Sequence, residues 1–173
     1  TGDINQISFY KAGGYITSSG TYSIPDIKVY IKHTSDTTLP AATTSLNGYT
    51  LVYSGNLNTN LGWGDGWIDI DFNTPFSYNG SNHIQVLIVK GYTSNLNSSY
   101  APRWRYTNQY QNNGTTLNYN TRYHRNYSAW NSSTQMYGNS QRPNAKFKIL
   151  SAPITNINWS PSTALSNDSI LTP

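Results

Sequence analysis

The chain has 173 residues, a formal net charge of +4 and no Cys, so its length suits one domain and it forms no disulfides or thiolate metal sites. Asn, Ser and Thr supply 63 residues and Glu is absent, which excludes long surface helices because Asn, Ser and Thr favour turns and caps. The 15 Tyr, 5 Trp and 4 Phe argue against a disordered chain, because they supply aromatic surface that a fold can bury.

Stretches in which apolar and polar residues alternate recur along the first 90 residues and predict short β-strands. In chain order these strands are Ile4–Tyr10, Ile24–Lys32, Tyr49–Tyr53, Gly66–Phe72 and His83–Lys90. In the second strand, Ile27, Val29 and Ile31 fall on one face, which predicts a half-exposed strand. The last of the five is almost continuously apolar, which predicts a central core strand.

The segment from Gly91 to Pro143 is different, because Asn, Ser, Thr, Tyr and Arg replace nearly all aliphatic residues. Alternation in Arg103–Tyr106 and in Tyr119–His124 predicts one further strand pair at most. Asn112-Asn113-Gly114 lies between these stretches and is typical of a hairpin turn. We expect the aromatic residues of this segment to lie partly on the surface.

The pattern divides the chain into one domain and a short C-terminal piece. Ala145–Ile149 is the last predicted strand of the domain, with Phe147 and Ile149 facing inward. Seven or eight strands over residues 1–150 predict an all-β domain of the jelly-roll β-sandwich type. We expect residues 151–173 to be a linker and the truncated first strand of another module. No run of residues is apolar over the length needed to span a bilayer.

Acidic residues offer one cluster, formed by Asp65, Asp69 and Asp71. Asp69 and Asp71 fall on the same strand face about 6.5–7 Å apart, within the separation that a glycosidase needs between its two carboxyl groups. We favour a solvated strand face, with calcium ligation by Asp65 or Asp69 as an alternative. The three His stand far apart and match no metal or nucleophile motif, so we predict no catalysis.

The aromatic and basic segment has the composition of a glycan site. Sugars present apolar C–H faces flanked by hydroxyl groups, which aromatic rings beside Arg, Asn and Gln complement. Arg also recognises carboxylate and sulfate, so acidic polysaccharides fit as well. The candidate residues are Arg103, Trp104, Arg105, Tyr106, Tyr123 and Trp130. Ordinary strand packing is the alternative, whereas single-stranded nucleic acid is disfavoured, since a charge of +4 is common among domains that bind none.

Five stretches resemble, in order and spacing, the cleaved-adhesin-like β-sandwich domains of secreted and surface proteins of Bacteroidota. They are Lys28–Thr34, Leu51–Gly55, Gly66–Ile70, Thr74–Asn82 and Arg142–Asn144. Where that family usually has Asn-Leu, this chain has Asn82-His83. Farther on, Trp159–Ile170 is similar to the start of the PKD-like Ig-type repeats of gliding-motility adhesins, which the type IX secretion system exports.

These resemblances imply an extracellular domain at the bacterial cell surface, with neighbouring repeats of the same chain as partners. The function that we expect is a non-catalytic adhesin domain that binds polysaccharide or glycan through exposed aromatic rings. The alternative is a spacer or protein-interaction domain of the adhesin that touches no sugar. Exposed rings would favour the first function, and rings buried between strands the second.

Overall fold

A computed structural model describes residues 1–12, 22–39, 45–59, 64–91, 103–108, 121–123, 136–139 and 141–150. Strands make up 75% of these residues and none of them is helical, which confirms the all-β class. A helix long and apolar enough to cross a membrane does not occur in these ranges. Residues 151–173, where we predict a linker and part of another module, lie outside them.

The strands follow the turn residues and the alternating segments of the sequence. They are β1 (Gly2–Lys11), β2 (Tyr22–Thr34), β3 (Thr50–Thr59), β4 (Gly66–Tyr78), β5 (His83–Lys90), β6 (Tyr106–Asn108), β7 (Thr121–Tyr123), β8 (Tyr137–Asn139), β9 (Gln141–Pro143) and β10 (Ala145–Leu150). Asn47-Gly48 forms a turn before β3, where Gly48 has a φ of 76° and the Tyr49 N–H donates to the Leu46 carbonyl over 3.0 Å.

The long strands form two antiparallel sheets. Sheet A has the order β10-β1-β4 and sheet B the order β3-β2-β5, so β1 and β2 are the central strands. Two short ribbons, β6-β9 and β7-β8, accompany them, so the segment from Gly91 to Pro143 forms two strand pairs where one at most was predicted. These strand orders establish antiparallel sheets and do not establish the jelly-roll connectivity.

One apolar core joins the two sheets. Sheet A contributes Ile4, Ile7, Ile68, Ile70 and Phe76, and sheet B contributes Ile24, Ile27, Val29, Ile31, Val52 and Leu57. The alternation predicted for β2 and β4 is confirmed, because their apolar residues are buried while Lys28 and Asp69 between them are not. Each fully buried aliphatic side chain stabilises the fold by about 1.5–3 kcal/mol.

One packing prediction is wrong, and a second holds for orientation but not for burial. β5, the most apolar segment, is not central but ends sheet B, and its Ile88 is 42% exposed. Ile149 lies on the same side of sheet A as its cross-strand partner Ile4, as predicted, but it is 48% exposed, whereas Phe147 on the same strand packs against the core. An apolar pattern indicates which residues favour burial, but the position of a strand within its sheet depends on its partners.

Candidate functional site

The predicted aromatic and basic residues separate onto different surfaces. Trp104 forms an isolated bridge with Lys11 at the end of β1, and its half-buried ring contacts Phe9 edge-on at 6.1 Å between centroids. Arg103 and Arg105, on either side of it, are exposed. Trp104 therefore packs against the core while its two neighbours face solvent.

The predicted tyrosines are exposed, but they lie on the two short ribbons. Tyr106 belongs to β6 and Tyr123 to β7, where the Tyr123 ring lies 6.1 Å from that of its cross-strand partner Tyr137. Beside Tyr123, the Arg122 guanidinium donates two hydrogen bonds to the Leu39 carbonyl. Trp130 lies outside the described residues.

Arg105 instead joins the solvent side of sheet A, which we call the outer face. Antiparallel pairing places Ser8 between Asp69 of β4 and Lys146 of β10, and Gln6 between Asp71 and Lys148. Because cross-strand partners point to the same side of a sheet, these side chains form parallel rows. The outer face consists of Gln6, Ser8, Tyr10, Trp67, Asp69, Asp71, Arg105, Lys146 and Lys148.

Aromatic and cationic groups meet at one end of the outer face. The Trp67 ring is 40% exposed and contacts Tyr10, its cross-strand partner, at 5.4 Å and an interplanar angle of 87°. The Lys146 ammonium lies 4.6 Å from the Trp67 ring centroid. On the other side, the Arg105 guanidinium carbon lies 5.8 Å from the Tyr10 ring centroid. Two rings and two cations thus form a compact, partly exposed group.

Backbone pairing fixes Arg105 in this position. The Arg105 N–H donates to the Tyr10 carbonyl over 2.8 Å, and the Arg105 carbonyl accepts from the Asn144 N–H over 2.9 Å. The segment around Arg105 therefore extends sheet A beside the end of β1. These two backbone hydrogen bonds hold the Arg105 backbone beside Tyr10, whose ring the guanidinium contacts.

All three clustered aspartates lie at or beside the outer face. Asp65 forms an ion pair with Arg105 over 4.0 Å, and Asp71 accepts a hydrogen bond of 2.6 Å from the Gln6 amide nitrogen. Asp69 is exposed next to Ser8. Across the part of the chain that the structure describes, no three His, Cys, Asp or Glu side chains form a group that could hold a metal ion. Calcium ligation by these aspartates stays a prediction.

Opposite charges occupy opposite strands of the outer face. Asp69 and Asp71 lie on β4 and Lys146 and Lys148 on β10, with β1 between them. Two strand spacings amount to about 10 Å, so the two columns offer hydrogen-bond acceptors on one side and donors on the other. Beside Trp67 the face therefore combines an aromatic ring with polar groups of both kinds.

Trp67, Tyr10 and Lys146 were not among the candidate residues predicted from the sequence. A signal for Trp67 was present, because the alternation of β4 places it on the same face as Asp69, opposite buried Ile68 and Ile70. The pairing of Trp67 with Tyr10, 57 positions away in the chain, has no such local signal.

Similarity to known proteins adds nothing to this geometry. Comparisons with protein-family models, with curated proteins and with solved structures gave no match. The resemblance to adhesin domains therefore rests on the sequence motifs described above.

Proposed function

We propose that this chain is a non-catalytic glycan-binding domain of a secreted or surface adhesin, and that it binds sugar on the outer face of sheet A. The observation that carries the proposal is the partly exposed Trp67 ring, placed among carboxylate acceptors and ammonium donors. The ring offers an apolar contact to the C–H face of a pyranose, and the polar rows offer partners to its hydroxyl groups.

Binding explains the outer face better than hydrolysis does. A general acid of a glycosidase is usually shielded from water so that it can hold its proton. Asp69 and Asp71 are instead exposed, and Asp71 is engaged by Gln6. An open sheet surface that contacts a sugar chain from one side is suited to adhesion, since it needs no enclosed reaction site.

The spacer function remains the second candidate because of one observation. Trp104, the central ring of the predicted glycan site, packs against Phe9 and the core, as a structural residue does. A domain whose aromatic residues only pack its strands would bind no sugar. The two functions therefore differ in what Trp67 does on the surface.

The test is a saccharide array probed with the wild-type chain and with Trp67→Ala. The array carries neutral and acidic polysaccharides and is run with calcium and with a chelator. We expect Trp67→Ala to weaken binding about tenfold or more, because the apolar contact with the sugar is lost. Tyr137→Ala is the matched control, since Tyr137 is also an exposed aromatic residue but lies on the β7-β8 ribbon.

Each result of the array has a distinct meaning. Loss of binding in Trp67→Ala alone supports the outer face, and sensitivity to the chelator would implicate the aspartates beside it. Loss in Tyr137→Ala alone would move the site to the ribbon that carries Tyr123. No saccharide bound by a folded wild-type chain would contradict glycan binding and favour the spacer.

A further inference from the structure

Ser8 is an unexpected residue on the outer face. It alternates with the inward-facing Ile7 and Phe9, and its cross-strand partners Asp69 and Lys146 are both exposed. Ser8 itself is only 1% exposed. Its hydroxyl oxygen has no hydrogen-bond partner within the described part of the chain. A side chain on the solvent side of the sheet is therefore shielded from water without a hydrogen-bond partner among the described residues.

Lys146 and Trp67 contact each other across β1 next to Ser8. These two residues lie on the strands that flank β1, so the line that joins the ammonium to the ring passes over β1 between Ser8 and Tyr10. We call this contact the Lys146 cover. It is a cation–π contact between two exposed side chains. Such a contact changes the equilibrium constant between its closed and open arrangements by a factor of only about 2–5. A ligand can therefore displace it at little cost.

A buried hydroxyl without a partner destabilises a fold, and alanine would fill the same space without that penalty. The Ser8 hydroxyl has a use once the Lys146 cover opens, because it can then both donate to and accept from a ligand hydroxyl. The Asp69 carboxylate beside it accepts from a second hydroxyl. Two adjacent acceptors in one row match two adjacent hydroxyl groups on a sugar ring.

We propose that Ser8 is the floor of a closed sugar-hydroxyl subsite, and that the ligand opens it by displacing Lys146 from the Trp67 ring. This inference rests on the glycan-binding function proposed above and names its ligand class, a neutral saccharide with vicinal hydroxyl groups. We infer that the ligand is neutral because positive and negative charges on and beside the outer face are equal in number. The positive residues are Arg105, Lys146 and Lys148, and the negative residues are Asp65, Asp69 and Asp71. A polyanion would gain no net attraction and would meet Asp69 beside Ser8.

The test compares three single variants with the wild-type chain by calorimetric titration and thermal denaturation. The probes are gluco-, manno- and xylo-hexasaccharides, with an oligogalacturonate as the acidic comparison. Ser8→Ala removes only the unpartnered hydroxyl. Lys146→Met keeps the length of the side chain but removes the cation from the Trp67 ring. Lys32→Met is the matched control, because the Lys32 ammonium also lies over an aromatic ring, 4.8 Å from the Tyr49 ring centroid, but on β2 of sheet B and away from the outer face.

We expect Ser8→Ala to melt at the same or a higher temperature than wild type and to bind the neutral hexasaccharide about tenfold more weakly, the equivalent of one hydrogen bond. Lys146→Met should bind it about threefold more tightly, whereas Lys32→Met should bind it as wild type does. Only a subsite predicts that one substitution stabilises the fold and weakens the ligand. A purely structural Ser8 would affect stability alone.

Other results overturn the proposal in distinguishable ways. If wild type binds through Trp67 and Ser8→Ala binds equally well, the subsite is wrong while glycan binding stands. If Lys146→Met weakens binding, Lys146 is a ligand contact and not a cover. Tighter binding of the oligogalacturonate than of every neutral probe would refute the ligand class. If neither wild type nor Lys146→Met binds any probe and the saccharide array gives no binding either, the proposed function fails and the subsite with it.

Discussion

Replacing Trp104 with alanine is expected to lower the free energy of unfolding by about 3 kcal/mol, since the half-buried ring packs against Phe9 and the core. Trp104 also forms the backbone bridge to Lys11 at the end of β1. Urea denaturation followed by circular dichroism measures the change. Glycan binding, measured well below the melting temperature, should be retained because Trp104 faces away from the outer face.

Arg103→Ala is the control for Trp104→Ala. Arg103 is the adjacent residue, and its side chain is exposed, so its removal should change stability by less than about 0.5 kcal/mol. A Trp104→Ala variant that unfolds like wild type and no longer binds glycan would contradict the packing seen here. Trp104 would then be a surface residue of the binding site, as the composition of its segment predicts.

Replacing Ile4 with alanine is expected to lower the free energy of unfolding by about 3–4 kcal/mol, because Ile4 is fully buried at the centre of the core. Its cross-strand partner Ile149 offers a matched control, since it is the same residue type at the paired position but is 48% exposed. Ile149→Ala should lower the free energy of unfolding by less than about 1 kcal/mol.

The comparison of Ile4 with Ile149 tests the fold directly. Both substitutions delete the same atoms from neighbouring strands of sheet A, so the difference between them reports burial alone. Denaturation of the two variants under identical conditions gives this difference. Equal losses would mean that Ile149 is as buried as Ile4, which would contradict the exposure of Ile149 seen in the structure.

The strand faces of β2 and β4 could be predicted because one set of alternating residues is aliphatic and the other polar. Val29 and Ile70 have no favourable place except the core, so the period of two is sufficient to orient their strands. For β5 the pattern was not sufficient. Its apolar residues stand on both faces, and burial of Leu87 beside exposure of Ile88 depends on what covers each side.

The candidate site could be predicted only in parts. Asp69 and Asp71 share a strand face by local spacing, and Arg105 belongs to a segment whose composition suits sugar. These residues assemble with Tyr10 and Lys146 only because β1 pairs with β4 on one side and with β10 on the other. Such pairings join residues that are far apart in the chain, and no local pattern encodes them.

The sequence by itself determined that this chain folds as β-strands, that aliphatic residues on one face of β2 and β4 form a core, and that Arg103 and Arg105 share a side opposite Trp104. Only the tertiary structure decided which of those two sides is the core. One side of this segment carries the two arginines and the other carries Trp104. Both sides combine apolar with polar atoms, so composition alone does not decide which side is buried. A shift of one residue in strand pairing would exchange the two faces of this segment. The bridge between Trp104 and Lys11 sets the pairing that turns the Trp104 ring inward. Arg105 then lies beside Tyr10 on the outer face.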